Sequence, residues 1–135
     1  MKDSFDVNSV LYGLLKGSAV SGAINGGIYI DDDRPDDSDA EDVVVNNINV
    51  SQDCSPQTGV SNVNVYVKDE VVTIGGKKQH KANRKRLDEL TKVVLDVLRD
   101  ARIDGFWFVI GNQSTLAEVS VRQHFTNIRV EWVIG

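Results

Sequence analysis

Residues 82–102 read ANRKRLDELTKVVLDVLRDAR, and residues 59–69 read GVSNVNVYVKD. In the first stretch Leu87, Leu90, Val94, Val97, Leu98 and Ala101 fall on one stripe, with Lys85, Asp88, Glu89, Lys92, Asp96 and Arg99 mainly off it, which predicts a long amphipathic helix over 82–102. In the second, Val63, Val65 and Val67 alternate with Asn62, Asn64, Tyr66 and Lys68, the pattern of an antiparallel strand with one buried face. Each aliphatic side chain of the stripe contributes about 1.5–3 kcal/mol when buried, more than any helix propensity. The economical arrangement is therefore the helix laid across the apolar face of a sheet.

Upstream, Val7, Val10, Leu11, Leu14 and Leu15 repeat at helical spacing, with Ser4 or Asp6 as caps and Gly17 as the stop, so a first helix is expected over 5–16. Asn25-Gly26-Gly27 signals a turn and GIYI (27–30) a short strand. EDVVVNNINVS (41–51) and the 59–69 run form two further strands around the Pro56 turn segment. Past the long helix, GFWFVIGNQ (105–113), a bend at STLAE and a last strand over 119–135 complete the chain, with a bulge expected near 123–126. Trp107 and Trp132, both in apolar runs, are expected as core anchors. Gly75-Gly76 is expected as a flexible entry to the long helix. The fold class is α+β: a mainly antiparallel sheet of about five strands with two helices packed on it, order α-β-β-β-α-β-β, in a single domain over 1–135.

Composition sets the outer limits on function. The 135 residues are 41% hydrophobic and 26% charged, ordinary for a folded domain. A net charge of -5 argues against a protein that coats nucleic acid. The single Cys54 forms no internal disulfide, which fits a reducing compartment, and the N-terminus has neither the positive region nor the apolar core of a secretion signal. No stretch approaches membrane-spanning length, so a protein outside the membrane is expected.

Motifs that carry chemistry fail at named positions. Gly59-Val60-Ser61-Asn62-Val63 lacks the last glycine of a nucleophile elbow. Gly75-Gly76-Lys77-Lys78 lacks the upstream glycine and the hydroxyl residue of a phosphate loop. Asp37, Asp39 and Glu41 alternate as in a calcium loop, but the sixth-position glycine is missing and the distal glutamate position is Ile48. Cys54, His80 and His124 have no spacing that makes a zinc site or a thiol–imidazole pair. The expectation is no catalytic residue, no metal and no cofactor.

What remains is segregated charge. Residues 31–42 (DDDRPDDSDAED) hold eight carboxylates against one arginine, and residues 77–86 (KKQHKANRKR) hold six fixed cations and no acid. Such blocks suit docking on a charged partner or on further copies of the chain. The candidate interface is Asp31, Asp32, Asp33, Arg34, Asp36, Asp37 and Asp39 on one side, and Lys77, Lys78, Lys81, Arg84, Lys85 and Arg86 on the other. Clustered Asn46, Asn47, Asn49, Asn62 and Asn64 make either a hydrated sheet face or a polar subunit interface.

The chain resembles the tail completion or tail terminator proteins of long-tailed bacteriophages and prophages. The resemblance lies in SVLYGLLKG with a small-residue passage into GGIYI, the proline-bearing DDDRP loop, VNVYVKD, the long RLDELTKVVLDVLRDARIDG helix and the closing strand ending RVEWVI. It implies a non-enzymatic subunit without cofactor that forms a homo-oligomeric ring, commonly a hexamer. Its partners would be the tail tube and head-tail connector proteins, in the bacterial cytoplasm during assembly and in the virion tail afterwards. The acidic 31–42 loop, the insertion at 70–81 and the Asn-rich strands depart from that pattern. Alternatives are a small protein-binding module of a mobile element, or a nucleic-acid accessory factor using residues 77–86. Against the latter, no aromatic side chains interleave with the cations to stack on bases.

Overall fold

The computed structural model describes residues 1–135. Helix α1 (Ser4–Lys16) starts in a capping box in which the Asp3 carboxylate accepts from the Asp6 amide and Asp6 accepts from the Asp3 amide. A one-turn helix α2 (Ala19–Ala23), capped by Ser18, leads to β1 (Ile28–Ile30). Then follow β2 (Asp42–Val50), β3 (Gln57–Lys68), a hairpin of β4 (Glu70–Ile74) and β5 (Lys77–Lys81), helix α3 (Arg84–Asp100), β6 (Phe106–Glu118), a 3₁₀ turn at Val119–Val121, and β7 (Gln123–Ile134).

Five strands form one sheet in the order β1-β2-β3-β7-β6. All neighbours are antiparallel except β1 and β2, which run parallel with Ile28 opposite Val43. The expected α+β class holds. One face carries the core: Val43 and Val45 of β2, Val63 and Val65 of β3, and Ile128, Val130 and Trp132 of β7 pack beneath Val7, Leu11 and Leu15 of α1 and Leu87, Leu90, Val94 and Leu98 of α3. Within this core the Trp132 indole donates to Ser61 Oγ (2.9 Å), and the Asn47 amide donates to the same oxygen (3.0 Å). The first bond satisfies the one polar atom that the indole brings inside.

Several expectations about local structure are corrected. Residues 70–81 form a two-stranded ribbon rather than a flexible lead-in. Gly75 (φ 58°) and Gly76 (φ 78°) both adopt the left-handed backbone that a tight two-residue hairpin requires, which non-glycine side chains resist. The STLAE segment does not bend: β6 continues through it to Glu118, and the chain reverses at 119–122, where Arg122 takes φ 54°. The irregularities fall in β6 between Ile110 and Gln113 and in β2 between Asn47 and Asn49, whereas β7 pairs with β3 in unbroken register. The β2 bulge leaves Ile48 without a partner on β3 and exposed, while Asn47, just before it, follows Val43 and Val45 onto the inner face toward Ser61. Trp107 is 60% exposed on the outer sheet face, so only Trp132 anchors the core.

Parallel neighbours need a connection that returns the chain to its starting end. Here residues 31–41, the acidic stretch, make that return. The turn before β1 fits closely: a Cβ on Gly26 would collide with the Asp42 carboxylate and with the backbone oxygen of Glu41, so only glycine passes there. No helix is long and apolar enough to cross a membrane.

Candidate functional site: a charged end of the sheet

The N-terminal ends of β2, β7 and α3 and the C-terminal ends of β3 and β6 gather at one end of the molecule. Both charged blocks lie there. Arg34 organises the acidic segment. Its Nε donates to Asp42 Oδ2 (2.8 Å), one terminal nitrogen donates to the Ser38 and Ala40 carbonyls (3.3 Å each) and to Gln123 Oε1 (2.9 Å), and the guanidinium lies 4.1 Å from the centre of the Tyr66 ring. Asp42 is 1% exposed and also accepts from the Gly27 amide (2.8 Å) and the Ser38 hydroxyl (2.6 Å), so this buried carboxylate is fully bonded. The Tyr66 ring stacks on Phe125, and burial of the phenol pushes its pKa above the ordinary value. The acidic segment is thereby pinned across the outer sheet face. Asp31, Asp32, Asp33, Asp36, Asp37 and Asp39 remain exposed, Asp39 lying 3.5 Å from Lys68.

The basic block is divided by the fold. Lys77, Lys78 and Lys81 stand exposed on the β5 strand of the ribbon, while Arg84 and Lys85 stand exposed on the first turn of α3. Arg86 points the other way. It forms a bidentate pair with Glu41 (2.6 and 2.8 Å) and donates to the Ala23 carbonyl (2.8 Å), tying α3 to α2 and to the start of β2. The Arg86 hydrogen bonds hold the Glu41 pKa below its ordinary 4.5 against the opposing effect of burial. The two blocks therefore meet once inside the chain, at Glu41–Arg86. Arg34 and Arg86, both counted as interface candidates, have their guanidinium groups engaged internally.

Between the ribbon and the β6–β7 reversal lies an open cleft of about 740 Å³. His80, Lys81 and Arg84 of the basic block line it together with two residues outside the block, Arg122 and His124. Arg122 NH1 lies 2.7 Å from His80 Nε2, and arginine only donates, so that ring nitrogen accepts and the His80 proton sits on Nδ1. His124 Nδ1 is bonded to Asp69, the one carboxylate lining the cleft. Sequence reading missed Arg122. The αL position in a tight reversal signals a turn, but nothing local shows that it faces residue 80.

Of the residues weighed for chemistry, His80 and His124 share the cleft and Cys54 lies apart from it. The Cys54 thiol is exposed near Ser51 Oγ (3.9 Å) and the Pro56 carbonyl (3.8 Å), at the opposite end of β3 from His124. No group of three or more His, Cys, Asp or Glu side chains is placed to hold a metal ion. On the outer face Asn127 donates to Asn62 (3.1 Å) and Asn64 (2.7 Å), tying together two of the clustered asparagines, while Asn47 lies on the inner face. Towards the β6 edge that face becomes apolar. Trp107, Val109 and Val133 are 60, 63 and 46% exposed, and Trp107 pairs directly with Val133.

The fold and the charged end define a small α+β domain with unpartnered surfaces of three kinds: acidic, basic and apolar. No family model and no curated protein matches the chain.

Proposed function

We propose that the protein is a structural assembly subunit: a phage or prophage tail completion (terminator) protein that forms a ring at the tail end and joins tail to head, without enzymatic activity or cofactor. The observation that carries the association is the bare strip Trp107–Val109–Val133 beside the open edge of β6. A large exposed aromatic flanked by exposed valines on a flat sheet face marks a surface used for contact. The strip supplies affinity, while the charged surfaces supply register and association rate, since exposed ion pairs contribute only about 0–1 kcal/mol each. The tail assignment is supported by the layout: a short helix and small-residue passage into a brief strand, a proline-bearing loop, paired strands, a long covering helix and a closing strand pair. On this reading the partners are copies of the chain, tail tube and connector proteins, and the protein works in the bacterial cytoplasm before entering the virion tail.

Sedimentation velocity at low and high salt tests the association. Wild type is expected to sediment as a closed oligomer at low salt, and Trp107→Ser with Val109→Ser to weaken it by about tenfold or more while leaving thermal stability almost unchanged. A wild-type monomer at every salt and concentration overturns self-assembly. For the tail assignment, neighbouring genes for connector, major tail and tape-measure proteins are the expected finding.

A further inference from the structure

We infer that the cleft beneath the β4–β5 ribbon is the receptor for the acidic turn Pro35–Asp37 of a second copy of the chain. The inference rests on the assembly reading above and names its charged contact. Three fixed cations, Lys81, Arg84 and Arg122, converge on the cleft, and its one carboxylate, Asp69, is already bonded to His124. The chain as a whole carries -5, so this local excess of positive charge stands against the background. A carboxylate entering the cleft meets charged donors, whereas a cation is repelled.

The same chain presents the matching group. The Ser38 amide bonds the Pro35 carbonyl (3.1 Å), and Arg34 and the Gln123 amide both hold the Ser38 carbonyl, so Asp36 and Asp37 sit exposed on a turn braced on both flanks. A braced turn has little conformational freedom left to lose on docking. Receptor and turn occupy different places on one surface, so the contact is heterologous and each copy has one of each to offer. The ribbon fits this role too. β4 and β5 pack chiefly on each other, with Val71 and Ile74 exposed, and a two-stranded ribbon alone in water is only marginally stable. A partner seated in the cleft, which Ile74 and Val119 also line, would cover part of that exposed apolar surface.

The fold assigns the contact differently from the charge runs. Glu41, Asp42, Arg34 and Arg86 serve the internal clamps, and Arg122, 36 residues beyond the basic run, joins the receptor.

A charge-swap experiment tests the inference. One variant carries Asp36→Lys and Asp37→Lys; the other carries Lys81→Glu and Arg84→Glu, leaving Arg122 and its His80 contact in place. Circular dichroism and thermal melts establish that each folds. In sedimentation at low salt, each variant alone is expected to associate at least about tenfold more weakly than wild type, and a 1:1 mixture to regain association, because like charges are juxtaposed in the separate samples and opposite charges in the mixture. Wild-type association that both variants retain unchanged overturns the inference and leaves the assembly reading standing. A wild type that stays monomeric removes both. Salt-sensitive binding of a DNA oligonucleotide or inorganic phosphate that is lost in the cleft variant alone, without self-association, replaces the second copy by a phosphate ligand and also overturns the inference.

Discussion

Arg34 holds more of the charged end together than any other side chain, because a single guanidinium serves Asp42, two carbonyls, Gln123 and the Tyr66 ring. Removing it strands a carboxylate that is 1% exposed. Arg34→Met, which keeps the stem, is expected to cost about 3 kcal/mol in urea unfolding, and amides of residues 31–41 should lose exchange protection. Arg34→Lys should cost less, since the charge remains while the fork geometry is lost. A variant as stable as wild type would show that the acidic return does not depend on this clamp. The sequence marks Arg34 as the lone cation among eight carboxylates, but its partner Gln123 is 89 residues away and invisible to local pattern. Trp107 shows the same limit. Its neighbours look apolar from either side, and the face it takes depends on the strand's register with Val133.

At the scale of elements, legibility follows the strength of the period. Helix α3 and strand β3 were readable within two residues because each sets an apolar stripe or face against a polar one, and β2 because of its β-branched Val43-Val44-Val45 run. The acidic 31–42 stretch was readable as a non-helical loop because Pro35 keeps it from becoming helix. The ribbon was missed, although Gly75-Gly76 between two five-residue runs is a hairpin signal, because KKQHK lacks the β-branched and aromatic residues that mark strands. Its independence has a measurable result. β4 and β5 should exchange their amides far faster than β3 and β7, and replacing 70–81 by a short Gly/Ser linker should leave the five-stranded sheet folded, with its melting temperature lowered by only a few degrees. Cooperative loss of the whole fold in that variant would mean that the ribbon belongs to the core unit.

For the whole molecule, the Glu41–Arg86 pair matters beyond its exposed rim, because it joins α2, β2 and α3 at the corner where three chain segments meet. The Glu41 pKa is lower in the folded chain than the ordinary 4.5, so the unfolded chain takes up a proton first as pH falls. Its stabilisation is therefore fully present above about pH 5 and is lost as pH drops through the folded value. Thermal melts from pH 7 to pH 3 should show wild type losing more stability than Glu41→Gln, the two curves converging at the acid end. Parallel curves would remove Glu41 from the acid response. The candidate site was legible as two blocks of opposite charge, but not as a cleft. Which cations face outward depends on where α3 begins, at Arg84, and on a β6–β7 reversal that delivers Arg122 from far along the chain.

The two tryptophans finally give the molecule two separate optical channels. Trp132 lies sealed at 1% exposure in the core with its indole nitrogen bonded to Ser61, so its emission is tied to the folded state alone. Trp107 lies in water on the face that copies are proposed to cover, so quencher access to its ring follows docking and is indifferent to the core. Folding and assembly, which a single unfolding curve merges, are thus separable by fluorescence in the unlabelled protein.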